Sequence, residues 1–339
     1  MKYSNNVLNV LTALEYNGIG AAWIVKNFGR DIDDLECIKK LSNKIKMKDL
    51  EIDFYKKKED ITKNLDDMAK YVDGYVAWGD DKFPFALKDN LFIKKSNICN
   101  RNTKNLKDSE IPVFFAYRGD LGLLNSNNLN LAVIGVLNPI QTIKKMEENI
   151  VEILVKNNAV ILSGLAHGCD SIAHEVALRH NGATVAILPS TLANIIPRDN
   201  ADLAEQIVLN GGLLLSEYYK EPAAREQISR FVQRDRLQAL FSDMVILSAS
   251  YSQCDTDRDK KFDSGSKHAM NKALEYGIKR AIMYDENIFC DEQFNLNREL
   301  LGKKDYNYIN RHDKNFKVLT TENTDKIIKA FYDFKNKRT

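Results

Sequence analysis

The stretch AVILSGLAHGCDSIAHEVAL, residues 159–178, decides the fold. It opens with a short apolar run, breaks at SGLAHG, and from about Asp170 resumes with apolar residues at helical spacing. A strand apolar on both faces is what a parallel sheet covered by helices on each side requires. The pattern recurs from about Leu131 onward. The runs LAVIG, AVILSG, TVAILPS, LLLSEY, MVILSAS and RAIMYD alternate with amphipathic stretches of helical length, several closed by Gly or Asn-Gly. This alternation predicts an α/β domain of Rossmann type, a doubly wound and mainly parallel sheet. Such sheets bind ligands beyond the carboxyl ends of their strands, so candidate functional residues belong in those loops.

Upstream, residues 1–75 read as short helices. NVLNVLTALEYNGIGAAWIVKNFG has apolar residues at helical spacing interrupted by Gly18 and Gly20, and LECIKKLSNKI follows. This predicts a small helical module of the SAM or helix-hairpin-helix kind. Its glycine turn either offers amides to a phosphate or closes a compact helical cap. The lysines between Lys39 and Lys63 are interspersed with acids and read as a solvated helix face. Residues 311–339 hold one helix, DKIIKAFYDFKNK, too short for a winged-helix domain. The expected division is a helical module over 1–75, a Rossmann domain over 76–310 and a terminal helix over 311–339, in keeping with 339 residues of 44% hydrophobic composition.

The balance of 49 basic and 47 acidic side chains means that any nucleic-acid surface must arise from local clustering of charge. Five scattered cysteines without CxxC spacing argue against a disulfide framework or a zinc ribbon. No run approaches the roughly 18–20 apolar residues of a membrane span, and the start MKYSNNVLNVL lacks a signal peptide's apolar region. A cytoplasmic protein without a membrane partner is expected.

The loops supply the chemistry. Gly164 and Gly168 permit tight turns and close backbone approach at a helix start, where amides and the helix dipole favour an anion. Asp170 reads either as part of that site or as a simple helix cap. His167, Cys169 and His174 lie close together, but no metal-ligand spacing supports them, and His174 reads as a hydrogen-bonded structural histidine. No G-x-G-x-x-G follows the first strand and no nucleophile elbow is present, so neither a nicotinamide cofactor nor any other is expected. No catalytic constellation is assembled, although Glu217 and Asp263 are acids that could serve as bases. FVQRDRLQAL puts Arg234 and Arg236 near a helix start, where guanidinium forks bind phosphate oxygens. DSGSKHAM offers Gly265, the hydroxyls of Ser264 and Ser266, and Lys267. Three anion-friendly loops on one sheet edge are expected to converge on one groove.

These residues resemble the DNA-processing protein A family (DprA, also called Smf) over most of the chain. SGLAHGCDSIAHEVAL resembles the signature Ser-Gly-x-Ala-x-Gly-Ile-Asp-x-x-Ala-His-x-x-Ala-Leu almost position by position. WGDDKFPFAL, FFAYRGDLGLLN, IPRDNADLAEQI, GGLLLSEY, FVQRDRLQALFSD, DSGSKHAMNKALEYG and FNLNRELLGKK resemble its other segments in order. The resemblance implies an extended Rossmann domain behind a helical module. It further implies a non-catalytic single-stranded DNA binder that self-associates, as a homodimer here, and helps load a RecA-type recombinase during natural transformation. Carried over by position, the phosphate groove comprises Ser163, Gly164, Gly168, Arg234, Arg236, Gly265 and Ser266, and the reading of the loops adds His167 and Lys267.

The chain departs from the family at several of these places. Gly135, Val136 and Leu137 stand where the family has Gly-Ser-Arg. Asp235 replaces an asparagine, His167 stands where Arg or another polar residue is common, and Lys267 and His268 replace an apolar pair. The chain thus reads as a divergent member with a role outside transformation open to it. Two other readings remain: a pocket that senses or cleaves a free nucleotide or nucleotide-derived signal, with Glu217 or Asp263 as base, and an assembly scaffold whose groove has decayed. Under the leading reading, Tyr218 and Tyr219 are loop aromatics available for base stacking.

Overall fold

A computed structural model describes residues 2–84, 87–88, 91–92, 106–222, 226–259, 265–288, 290–302 and 316–336. The helical stretch forms α1 (Asn5–Leu14), α2 (Ala21–Asn27), α3 (Asp34–Lys44) and α4 (Leu50–Met68). Ser4 and Asp33 start two of them by accepting the amides of Val7 at 3.1 Å and Glu36 at 2.8 Å. Gly18, at φ +81°, turns the chain between α1 and α2.

The strands are β1 (Gly74–Ala77), β2 (Leu87–Lys88), β3 (Leu91–Phe92), β4 (Phe114–Gly119), β5 (Leu129–Ile134), β6 (Ala159–Ser163), β7 (Thr184–Leu188), β8 (Leu213–Ser216), β9 (Met244–Leu247), β10 (Lys279–Met283) and β11 (Phe316–Leu319). Among the described residues β2 and β3 pair with each other, and the others form one nine-stranded sheet in the order β1-β4-β8-β7-β6-β5-β9-β10-β11. From β8 through β11 every pairing is parallel, while β1 and β4 extend the sheet antiparallel. The six apolar runs are β5 to β10. β11, sequence FKVL, escapes the sequence pattern because Lys317 interrupts it, as suits an edge strand where one side needs no partner.

Along β5, Leu129, Leu131 and Val133 join one buried cluster and Ala132 and Ile134 the other, so the period-2 alternation separates two faces. The first face is covered by α5 (Gln141–Lys156) and α6 (Cys169–Arg179), through Ile143, Ile150, Ala173 and Val176. On the second face, α7 (Ala201–Leu209) is followed by α8 (Gln227–Leu240), which contributes Leu237 and Leu240. The short α9 (Gln253–Arg258) precedes α10 (Ser266–Tyr276), which packs against α8. α11 (Asn295–Leu301) and α12 (Thr324–Asn336) complete the chain, α12 adding Ile328 to the first face.

The second cluster also contains Val7, Leu11, Phe54 and Leu65. The helical region therefore shares its core with the sheet, and the last helical residue before the sheet is Tyr71, at the end of a short 3-10 turn. Among the described residues no helix is long and apolar enough to cross a membrane. The sheet order reverses between β5 and β9, which puts the crevice at the carboxyl ends of those strands, beside the β6 loop.

Candidate nucleic-acid interface

The β6–α6 loop, residues 164–168, is built from the inside. Ser163 ends β6 and its hydroxyl donates to the Val133 carbonyl at 2.7 Å, fully buried, so it ties β6 to β5 and offers nothing to a ligand. Asp170, on the first turn of α6, turns its carboxylate back into the loop and accepts the amides of Gly164 at 3.1 Å and Ala166 at 3.4 Å. The fragment of the loop that would cradle a phosphate at those two amides thus holds the chain's own carboxylate. The amides of His167 and Gly168 have no hydrogen bond among the described residues. His167 is exposed, with Asp199 at 3.8 Å.

Two glycines are required here. A Cβ at Gly164 would fall onto the Arg234 guanidinium. Gly168, at φ +74°, lies against the Val136 and Leu137 carbonyls, where a Cβ would collide with backbone. The Cys169 amide donates to the Val136 carbonyl at 3.1 Å and joins the β6 loop to the β5 loop. Cys169 itself is buried beside Glu147 of α5, and burial pushes its thiol and the Glu147 carboxyl well above their ordinary values.

Arg234 approaches from α8 beneath this loop. Its Nη1 lies 3.5 Å from Asp170 and its Nε 3.3 Å from Asp235, with side-chain exposures of 7% for Arg234 and 8% for Asp170. One positive charge faces two negative ones, so Arg234 braces the loop and is already neutralised. With its amide turned to suit, Gln238 accepts from Arg234 Nη1 at 3.1 Å and from the Gly164 amide at 3.0 Å.

The expectation that Arg236 shares this groove does not match the geometry. Arg234 and Arg236 lie well inside α8 rather than at its start, and residues two apart on a helix point about 200° apart. Arg236 faces the other way and grips Glu217 with both nitrogens, at 2.6 and 2.7 Å, while also donating to the carbonyls of Glu110 and Gln233. Burial alone would lower the Arg236 pKa; the Glu217 carboxylate outweighs it and the net direction is upward. Glu217 is thereby committed to an ion pair and is not poised as a base. Asp263 and Ser264 lie outside the described residues.

Tyr218 and Tyr219 are engaged as well. Arg230 lies over the Tyr218 ring at 3.9 Å, the Tyr218 hydroxyl donates to Gln233, and Tyr219 donates to Glu15 of the helical region while packing edge-on against Phe114. Tyr219 thus joins the helical region to the sheet, and both rings line a cleft of about 450 Å³ there, away from the β6 loop.

Three potential metal ligands separate in space. His167 is at the surface, Cys169 is beneath the loop, and buried His174 puts Nδ1 2.7 Å from the Thr184 hydroxyl. Burial lowers the His174 pKa to about 3, so it is neutral. At the start of α10, the Ser266 hydroxyl donates to the Gly135 carbonyl at 3.1 Å, which draws Gly265, Ser266 and Lys267 to the β5 loop. Lys267 is partly exposed and His268 exposed. The β5 loop, the β6 loop and the α10 start therefore converge, while Arg236, Tyr218 and Tyr219 lie elsewhere and Ser163 and Arg234 are enclosed.

Residues 86–310 match the family described as DNA recombination-mediator protein A. The chain is 30% identical over 165 residues to DNA processing protein DprA of Bacillus subtilis, covering 49% of this chain and 50% of that protein. It is 32% identical over 168 residues to the protein of the same name in Streptococcus pneumoniae, covering 50% and 54%. The chain spans about half the length of these curated relatives. The X-ray structure of DNA processing protein A from Streptococcus pneumoniae superposes with a TM-score of 0.61 at 21% identity, covering 96% of this chain and 97% of that one, a likeness of fold.

Proposed function

Because the chain belongs to the DNA recombination-mediator protein A family, we propose that it binds single-stranded DNA across the carboxyl edge of β5 and β6 and carries out no chemical step of its own. The observation that carries this reading is the pre-formed β6–α6 loop. Asp170 and Arg234 hold it from within, and at the N-terminus of α6 the amides of His167 and Gly168 remain without an internal partner among the described residues. Helix dipole and unpaired amides favour a phosphate there. Lys267 at the start of α10, drawn to the same edge through Ser266 and Gly135, supplies the cation. Both groups recognise a backbone and not a base sequence.

In this reading the protein acts in the cytoplasm as a homodimer and passes the strand to a RecA-type recombinase, in transformation or in another DNA-processing route. The names of its relatives as DNA processing proteins support the assignment to DNA. The neutralised Arg234 implies a shallow salt dependence, with a slope of about 0.7 for each phosphate neutralised on a single strand.

Fluorescence anisotropy of a labelled oligonucleotide at about 50 and about 200 mM salt tests the reading. The single strand is expected to bind more tightly than a duplex of equal length, and Lys267→Ala to reduce the salt slope by about 0.7. Retention of neither strand, together with a rise in melting temperature on adding free nucleotides, overturns the reading in favour of nucleotide sensing.

A further inference from the structure

The loop between β5 and α5, residues 135–140, is held as firmly as the phosphate loop beside it but presents the opposite chemistry. Gln293, only 9% exposed, spans it: its Oε1 accepts the Ile140 amide at 2.9 Å and its Nε2 donates to the Asn138 carbonyl at 2.8 Å, with the Tyr251 hydroxyl at 3.2 Å. This two-point clamp fixes the backbone on which Leu137 and Ile140 stand 38% and 37% exposed. From Gly135 to Thr142 there is no charged side chain, so the loop cannot neutralise a phosphate. It lies against Gly168 on one side, through the Val136 and Leu137 carbonyls, and against the start of α10 on the other, through Gly135 and Ser266. A rigid apolar step is thus flanked on both sides by the groups assigned to phosphates.

We propose that Leu137 and Ile140 form a ledge that seats an unpaired nucleobase of the bound strand, while the flanking amides and Lys267 hold its phosphates. The proposal rests on the single-strand reading above. A nucleobase has an apolar face as broad as this pair of side chains, and in a duplex that face is hidden in the stack. The ledge therefore selects unpaired over paired strands by burying surface that only the former exposes. Its contribution is independent of salt, since no ion is released when it forms. Pre-organisation by Gln293 means that little ordering opposes the contact.

The test uses the full chain, a labelled thymidine oligonucleotide and an abasic oligonucleotide of equal length, with anisotropy at two salt concentrations. Leu137→Ser combined with Ile140→Ser is expected to weaken binding of the base-bearing strand about tenfold at both salts, leaving slope and melting temperature unchanged. The abasic strand is expected to bind wild type and variant alike, at the weaker affinity. A second variant, Leu137→Arg, replaces the step by a cation and is expected to raise the salt slope by about 0.7 while losing the preference for bases. Equal binding of both strands by wild type, or an unchanged affinity in the double serine variant, overturns the ledge alone. Loss of self-association in that variant, with affinity for the strand retained, assigns the pair to a contact between copies and also overturns it. Failure of wild type to hold either strand overturns the single-strand reading and the ledge together.

Discussion

Replacing Arg234 by alanine separates a phosphate clamp from a structural brace. The guanidinium is 7% exposed and lies 3.5 Å from Asp170 and 3.3 Å from Asp235, themselves 8% and 13% exposed. Its removal leaves two largely buried carboxylates without the cation they share, and breaking such a pair on one side costs about 3–5 kcal/mol. An unfolding entropy of about 2.1 cal/mol/K per residue over 339 residues is about 0.7 kcal/mol/K, so the expected fall in melting temperature is about 4–7 °C. Because the charge is already neutralised, the salt slope of DNA binding is expected to change by well under the 0.7 of one phosphate contact. Calorimetry and anisotropy on the same preparation read both quantities. Adding Asp170→Asn to Arg234→Ala is expected to restore part of the lost stability, since it relieves one uncompensated charge, and the double-mutant cycle measures the coupling. An unchanged melting temperature in Arg234→Ala with a slope reduced by about 0.7 would refute the brace and return Arg234 to the phosphates.

Arg236→Ala abandons the two-nitrogen grip on Glu217 and is expected to lower stability by about 2–4 kcal/mol in urea titrations with no change in oligonucleotide affinity, because it lies away from the β6 loop. His174, neutral with a folded pKa near 3, has its ordinary value near 6.5 when unfolded, so protons bind the unfolded chain preferentially and stability falls as pH drops from about 6.5 toward 3. The slope from this residue is about 1.4 kcal/mol per pH unit, and the difference between wild type and His174→Gln in urea midpoints across pH 4–7 isolates it. Glu147 has the opposite sign: its folded pKa lies above the unfolded one through burial, so its effect is absent below about pH 4.5 and costs stability as pH rises toward the folded value. Glu147→Gln is accordingly expected to gain on wild type at pH 7–8 relative to pH 4, and a constant difference across that range would show that the carboxyl is ionised in the folded chain.

The strands and helices were legible in the residues because their cause is local. Each apolar run from LAVIG to RAIMYD became a strand, since a segment apolar on both faces has only a covered sheet in which to bury them. The loop after β6 and the start of α10 were equally legible, as glycines and hydroxyls at element ends, but the third anion loop expected, at the arginines of α8, does not join them and the β5 loop stands in its place. The sense in which Arg234 and Arg236 point was also present in principle, because an Arg-Asp-Arg triplet inside a helix cannot turn both arginines to one side. FVQRDRLQAL reads as a helix start, whereas α8 begins at Gln227, so both arginines stand inside the helix and diverge.

Tertiary structure alone decided which polar groups remain for a ligand. Asp170 and Arg234 are 64 residues apart in the chain and Glu217 and Arg236 are 19 apart, and nothing in a local pattern reports that each carboxylate finds its guanidinium. The Ser163 hydroxyl met Val133, Tyr219 met the helical region, and the Gln293 clamp reached back more than 150 residues to the β5 loop. Hydropathy periods report burial, which depends on immediate neighbours along the chain. Charge and hydrogen-bond partners are set by neighbours across space, so the lip of the sheet was readable from sequence while the donors left open along it were not.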